Sequence, residues 1–127
     1  MANLPTQSDA DLEADFKNLT GMPAISERMK GFLASAHPDD RTAFLAFLKS
    51  VSEPRAVDYR TKVLLRVIVC MVLDHEQGVE SWGRAALKQG WSREQLVEAM
   101  FAVTPQVGFI PLIRMLPYLP PDGHVQE

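Results

Sequence analysis

The hydrophobic and polar residues of the first third of the chain follow the period of an α-helix. Acidic residues early and a lysine late, followed by Gly21, predict a short helix over residues 8–18. Residues 24–35 place Ile25, Met29 and Phe32 on one stripe and predict a second helix. A third helix is expected from Pro38, a proline suited to the first helical position, because apolar residues then recur at helical spacing: Phe44, Leu45, Phe47, Leu48 and Val51.

The middle of the chain predicts a long apolar helix followed by a helix of small residues. Residues 57–73 are apolar nearly all round, which is typical of a helix at the centre of a fold. Residues 74–89 are expected to form the next helix, with Gly90 as its left-handed stop. Its small residues would let neighbouring backbones approach closely: Gly78, Gly83, Ala85 and Ala86.

The last third of the chain continues the helical pattern. Ser92 and Gln95 form a capping-box pattern that predicts a helix start, and the buried face of this helix is expected to be Leu96, Met100, Phe101 and Val103. Residues 109–119 form an apolar segment interrupted by Pro111 and Pro117. No segment alternates with the period of a strand. We therefore expect an all-α fold, a compact multi-helix bundle forming a single domain over residues 1–127.

Composition narrows the classes of function. The 127 residues are 46% hydrophobic and 23% charged, which fits one globular domain, and a helical domain this short often gains further burial by self-association. The net charge is −3 with scattered basic residues, so neither nucleic acid nor a membrane is an expected partner. Cys70 is the only cysteine, which excludes a disulfide within the chain and favours a cytoplasmic setting. The first residues do not predict a signal peptide, and no apolar stretch is long enough to span a bilayer.

Residues 37–119 resemble the carboxymuconolactone decarboxylase superfamily, which includes the alkyl hydroperoxidase D-like proteins. The resemblance rests on "HPDDRTAFLAFLKSV", on "VDYRTKVLLRVIVCMVL" at the family's long central helix, on "ESWGRAALKQGWSREQLVEAM" at its small-residue helix, glycine and capping turn, and on a later "GFIPLI". It covers about two thirds of the chain. It implies a compact helical bundle that assembles into trimers, or into hexamers built from trimers.

The family's known catalytic groups have no counterpart when Gly90 fixes the register. The hydroperoxidase-like branch uses a CxxC pair, a histidine four residues later and a glutamate on the preceding helix. The resemblance places His75 and Gly78 at the two cysteines, Trp82 at the histidine and Val63 near the glutamate. The histidine and the acidic residue of the decarboxylase branch would also fall on Trp82 and Gly78. A gap before Gly90 would make His75 the family histidine, but Ile68 and Met71 would then stand at the cysteines.

Three polar residues at the start of the small-residue helix are candidates for catalysis. His75, Glu76 and Glu80 could relay protons on one helix face, with the imidazole as acid or base and a carboxylate orienting it. The alternative is a polar helix start, since capping and acidic residues are favoured there by the helix dipole. One histidine without H-E-x-x-H spacing is a poor metal site, so we expect no metal and no cofactor.

Three residues are candidates for binding a substrate. Arg66 is a cation on an otherwise apolar helix and must find a carboxylate, a carbonyl, a ligand anion or solvent, and Tyr59 and Trp82 could wall a pocket beside it. Packing or ion pairing remains the alternative for all three. Cys70 lies in an apolar run and is expected to pack as a small hydrophobic residue with a raised pKa. His37 and His124 receive no role.

Two hypotheses of function remain from the sequence. The first is an oligomeric relative of the superfamily without its catalytic residues, which binds a small molecule, serves as a partner subunit or is inactive. The second is a lactone decarboxylase-like or hydroperoxidase-like enzyme with a rearranged site around His75. A purely structural or protein-binding helical module is the remaining alternative to both. A small carboxylate or lactone is the expected ligand, and other copies of the chain are the expected partner.

Overall fold

The computed structural model describes Ala14 and residues 27–123. The predicted helix over residues 8–18 lies outside the described residues except for Ala14, which is helical. Residues 27–123 contain helices and no strand, as predicted. The chain divides between Glu53 and Pro54 into two compact units.

The first unit contains α1 (Glu27–Ser35) and α2 (Pro38–Ser52). The imidazole Nδ1 of His37 caps α2 by accepting a hydrogen bond from the backbone N–H of Asp39 at 3.0 Å. The buried guanidinium of Arg41 donates to the carbonyl of Leu33 at 2.9 Å and so satisfies a carbonyl at the end of α1. A helix begins at Pro38, as the first-turn proline predicted.

The apolar stripe expected on these two helices is only partly buried. Of the predicted stripe residues, Leu45 is buried, whereas Phe32 is 53% exposed and Phe47 is 67% exposed, and α1 instead buries Leu33, which the pattern did not single out. The ring of Phe32 meets the ring of Phe44 edge-on, with centroids 5.3 Å apart, because this edge-to-face arrangement suits the aromatic quadrupole. Helical spacing identified the apolar sector but not which of its members face inward.

The second unit contains the remaining elements of the described chain. They are α3 (Tyr59–Val72), α4 (Glu76–Lys88), α5 (Arg93–Ala102), α6 (Thr104–Val107), α7 (Ile110–Met115) and a 3₁₀ turn (Leu116–Tyr118). Asp58 begins α3, since its carboxylate accepts the N–H of Thr61 at 2.7 Å. The predicted capping box of Ser92 and Gln95 begins α5.

The turn between α3 and α4 is tight and uses an unusual residue. Asp74 has a φ of +60°, and the N–H groups of Asp74 and His75 bond the carbonyls of Met71 and Cys70 in a Schellman motif. Gly90 ends α4 in the same way with a φ of +93°, which confirms it as a left-handed stop. The sequence predicted that one helix ends at residue 73 and the next begins at residue 74. In the structure a tight turn at Asp74 separates the two helices and makes them antiparallel.

Helix α3 is central to the second unit, where it packs most extensively against α4 and also contacts α5 and α7. The core of this unit consists of buried apolar residues from several elements: Val63, Val67, Met71, Val79, Ala86, Leu96, Met100, Leu112, Met115 and Leu119. Two details differ from the sequence prediction. One side of α3 is exposed at Leu65 and Val69, and Phe101, expected in the core, is 49% exposed. Among the described residues, no helix is both long enough and apolar enough to cross a membrane.

Candidate functional site

Arg66 and Trp82 form the centre of the candidate site. Arg66 lies in the middle of α3 and Trp82 in the middle of α4, so the antiparallel packing of these helices brings them together. The guanidinium carbon of Arg66 lies 4.7 Å from the centroid of the Trp82 ring. Both side chains are half-buried, and the Nη1 atom of Arg66 is fully buried. This cation–π contact is favoured where the cation has lost part of its hydration.

Tyr59 lies two helical turns before Arg66 on the same side of α3. Burial raises the pKa of the Tyr59 phenol, and the positive charge of Arg66 partly opposes this. Burial also lowers the pKa of the Arg66 guanidinium, while Tyr59 acts in the opposite direction. The phenol and the guanidinium therefore lie within electrostatic reach of each other, and the structure gathers the three predicted binding residues in one region.

Cys70 lies one helical turn beyond Arg66, where α3 faces the start of α4. A Cβ placed on Gly78 would lie 2.5 Å from the Cys70 sulfur and would also overlap the Nδ1 atom of His75. The absence of a side chain at Gly78 is therefore what lets the two helices close here. Burial raises the pKa of the Cys70 thiol, as the sequence predicted.

His75 is the N-cap of α4. Its Nδ1 atom accepts a hydrogen bond from the backbone N–H of Gly78 at 2.8 Å, and its side chain is exposed. An imidazole that accepts at Nδ1 carries its proton on Nε2, so the bond also selects the tautomer. The structure thus gives His75 the polar helix-start position that the sequence left open as an alternative.

The two carboxylates expected to work with His75 have partners of their own. Glu76 accepts a hydrogen bond from the phenol of Tyr118, and the charge of Glu76 raises the pKa of that phenol. Glu80 forms an ion pair with Arg84 at 2.6 Å, one helical turn away. Each of these contacts is made to a different partner, and none of them joins His75, Glu76 and Glu80 to one another. A catalytic role for the three residues stays a prediction. Among residues 27–123, no three histidine, cysteine, aspartate or glutamate side chains cluster in a way that could hold a metal ion.

Sequence reasoning missed a second arginine–tryptophan pair. The Arg60 guanidinium lies 3.6 Å from the centroid of the Trp91 ring and donates to the carbonyls of Gln89 and Gly90 at 3.0 and 3.2 Å. The Trp91 indole donates in return to the carbonyl of Arg60 at 2.8 Å. This pair joins the start of α3 to the end of α4, where a cation is favoured by the helix dipole. The glycine stop at Gly90 was the one available signal that carbonyl groups would need partners there.

The Asp74–Arg114 ion pair and the His37 cap were also missed. Arg114 of α7 bonds the carboxylate of Asp74 at 2.7 Å, across the turn between α3 and α4. Nothing in the sequence pairs residues so far apart. The capping role of His37 had a signal, because it directly precedes Pro38 at the predicted helix start.

Comparison with known proteins supports the fold. No protein-family model matches the sequence, and no curated protein gives a significant match. The structure is similar to the crystal structure of a "putative carboxymuconolactone decarboxylase" from Burkholderia xenovorans, with a TM-score of 0.72 and 18% sequence identity over 91% of each chain. A likeness at this level of identity establishes the fold alone. The chain therefore has the all-α fold of that protein.

Proposed function

We propose that the protein binds a small carboxylate or lactone at Arg66, as a relative of the carboxymuconolactone decarboxylase superfamily that lacks the known catalytic residues. The observation that carries this proposal is the cation–π contact of the Arg66 guanidinium with Trp82, which is half-buried between α3 and α4, the two helices of this unit that pack most extensively against each other. The fold similarity and the motif pattern of residues 37–119 support the superfamily.

The chemistry of Arg66 suits an anionic group with two oxygens. A guanidinium remains charged near neutral pH even when burial lowers its pKa, because its ordinary value is so high. The guanidinium carbon of Arg66 lies 4.7 Å from the Trp82 ring centroid, and a guanidinium recognises a carboxylate through the N–H donors in its plane. The phenol of Tyr59 would add a neutral hydrogen-bond donor on the same side of α3.

The Arg60–Trp91 pair provides a matched control within the same two helices. Arg60 also has its guanidinium over a tryptophan ring, at 3.6 Å from the centroid, and its Nε and Nη2 atoms bond the carbonyl groups that end α4. We assign Arg60 a structural role for this reason. Replacing Arg60 removes one cation and one contact with a tryptophan ring, as replacing Arg66 does. It leaves in place the Arg66 guanidinium, which is the group proposed to bind the ligand.

The test is a titration with a panel of small carboxylates and lactones, followed through the indole N–H signals in NMR spectra. The chain has two tryptophans, so a Trp91→Phe variant assigns the two signals. A ligand should shift the Trp82 signal, and Arg66→Met should abolish the shift while Arg60→Met preserves it. A Trp82 signal that ignores every compound would contradict the proposal, as would a shift that persists in Arg66→Met or one that is lost in folded Arg60→Met.

The proposal includes self-association into trimers, or hexamers built from trimers. Two arguments support it: the resemblance to a superfamily that assembles in this way, and the limited surface that a chain of 127 residues can bury alone. Sedimentation velocity at micromolar concentration tests it directly. A single species with the mass of one chain, 14.2 kDa, would refute self-association without affecting the binding proposal.

A further inference from the structure

Residues 118–122 run along α4 near the end of the described chain, and we call them the C-terminal strap. The strap begins at the end of the 3₁₀ turn (Leu116–Tyr118), which packs against α4. Leu119 is 3% exposed and Pro120 is buried. Residues 119–121 belong to no helix, so contacts with other elements must hold the strap in place.

Two polar contacts hold the ends of the strap. The phenol of Tyr118 donates a hydrogen bond to the carboxylate of Glu76, in the first turn of α4. At the other end, Oδ1 of Asp122 accepts the backbone N–H of Arg93 at 2.8 Å. Arg93 is the first residue of α5, where N–H groups lack partners within the helix and the helix dipole favours an anion. The strap is therefore fixed at the start of α4 and at the start of α5.

Between these ends the strap lies against the backbone of α4 at Gly83. A Cβ placed on Gly83 would lie 2.7 Å from Cδ of Pro120 and 3.1 Å from Cδ1 of Leu119. The strap can therefore lie this close only to a residue without a side chain. Proline suits the contact, since it has no N–H that burial would leave unbonded. Gly83 directly follows Trp82, so the strap contacts α4 beside the tryptophan of the candidate site.

Helix α4 is held between α3 and the strap. Gly78 marks the side of α4 that closes on α3, because a Cβ there would overlap Cys70. Gly83 lies five residues further on, which at 3.6 residues per turn is about 140° around the helix from Gly78. Trp82 is only about 40° from Gly78 and contacts Arg66 of α3. The strap and α3 therefore lie on different sides of α4, at the level of Trp82.

We infer that the C-terminal strap is a positioning element of the proposed site. By holding α4 against α3, it sets the distance between the Trp82 ring and the Arg66 guanidinium. A cation–π contact weakens as the ring and the cation separate, and the guanidinium then gains freedom that a bound ligand must remove. Loosening the strap should therefore loosen Arg66 and weaken ligand binding. The part of this inference that concerns a ligand rests on the function proposed above.

The experiment loosens the strap and follows the Nε–H signal of Arg66 in NMR spectra of the full chain. The loss of this signal in Arg66→Met assigns it. A tryptophan ring displaces the signals of a group that lies over it, so Trp82→Leu defines the position of the Arg66 signal without the contact. Gly83→Ala dislodges the middle of the strap, and Asp122→Ala removes the contact at its end. In both variants the Arg66 signal should move towards its position in Trp82→Leu.

Two matched variants separate positioning from a general effect on the fold. Asp122→Asn keeps an oxygen that can accept the Arg93 N–H, so the Arg66 signal should stay at its wild-type position. Arg84→Met removes the ion pair with Glu80 on α4 and leaves the strap contacts in place, so it should also leave the Arg66 signal unchanged. Urea unfolding of every variant records its stability separately.

The Arg66 signal decides whether the strap positions the contact. A displaced signal in Gly83→Ala and Asp122→Ala, with wild-type signals in Asp122→Asn and Arg84→Met, supports the inference. An unchanged signal in either of the first two variants, when folded, would overturn it, because the strap would then contribute to stability alone. Equal displacement in either control would also overturn it. If circular dichroism shows that Gly83→Ala does not fold, Asp122→Ala decides the question, since Asp122 is exposed.

A ligand measurement separates this inference from the proposed function. A compound that shifts the Trp82 signal of the wild type should bind Asp122→Ala several-fold more weakly. Equal affinity for the two proteins, together with a displaced Arg66 signal, would overturn the control of binding by the strap. If no compound binds the wild type, the proposed function fails, and the Arg66 signal still decides whether the strap holds the contact with Trp82.

Discussion

Replacing Gly78 with alanine tests whether the closeness of α3 and α4 depends on a missing side chain. The new Cβ would lie 2.5 Å from the Cys70 sulfur and 3.1 Å from the Cys70 Cβ, and would overlap Nδ1 of His75. Cys70 is half-buried on a short side chain, so it has little room to move. His75 is exposed, so its imidazole can swing outward. We expect the variant to lose the His75 cap and to strain the contact with Cys70.

The balance of effects predicts a clear loss of stability. Alanine in place of glycine favours the helical backbone by about 0.5–1 kcal/mol. Loss of the N-cap hydrogen bond costs about 1 kcal/mol, and overpacking of a closed contact costs about 1–3 kcal/mol. The free energy of unfolding should therefore fall by about 1–3 kcal/mol. Cys70→Ala removes the sulfur from the contact, so Gly78→Ala should cost less in that background.

Urea unfolding followed by tryptophan fluorescence measures this change, because both tryptophans belong to the second unit. Gly31→Ala is the matched control, followed by far-ultraviolet circular dichroism. Gly31 is also a helical glycine, but a Cβ there meets no atom within 4 Å, so the control should be slightly more stable than the wild type. A Gly78→Ala protein as stable as the wild type, in the presence of a stabilised control, would refute the packing argument.

Three further predictions follow from backbone geometry and ionisation. Gly90→Ala should lower the free energy of unfolding by about 1–2 kcal/mol, because a φ of +93° strains an L-residue, and an unchanged urea midpoint would contradict this. Glu76→Gln should lower the pKa of Tyr118, since the charge of Glu76 is the largest cause that raises it; a ring-signal titration by NMR would show no change if this is wrong. Cys70 should react slowly with iodoacetamide at neutral pH and faster in urea, because burial raises the pKa of its thiol. The contribution of the protonated Cys70 thiol to the free energy of unfolding is fully present below the pKa of the unfolded thiol. It is lost as the pH rises through the higher pKa of the folded thiol.

Local signals in the sequence predicted the elements of the fold well. The capping box at Ser92, the glycine stop at Gly90 and the first-turn proline at Pro38 each act within a few residues, so the sequence contains the whole of their cause. The junction between α3 and α4 was placed less accurately, because Asp74 adopts a backbone conformation that usually belongs to glycine or asparagine. Its Arg114 partner lies on a distant helix, and no local pattern indicates it.

The candidate site was predicted in its composition but not in its geometry. A cation in an apolar helix drew attention to Arg66, and its contact with Trp82 depends on how α3 and α4 align. His75 drew attention as a lone polar group at the start of a small-residue helix, and this is equally the position of an N-cap. Sequence cannot separate these two meanings, since both place a hydrogen-bonding side chain at the same point of a helix.

The two arginine–tryptophan pairs show why a site residue cannot be chosen by type. Arg60 and Arg66 both lie on α3 and both make a cation–π contact with a tryptophan; Arg60 bonds the carbonyl end of α4, and Arg66 lies at the middle of both helices. A stacked guanidinium is held in one orientation, so a carboxylate that binds it immobilises little additional side chain. Lysine at position 66 would keep the positive charge but lose both the planar stack and the paired N–H donors. If Arg66 acts by recognising a carboxylate in its plane, Arg66→Lys should therefore weaken the ligand nearly as much as Arg66→Met, whereas a purely electrostatic role would leave the lysine variant close to the wild type.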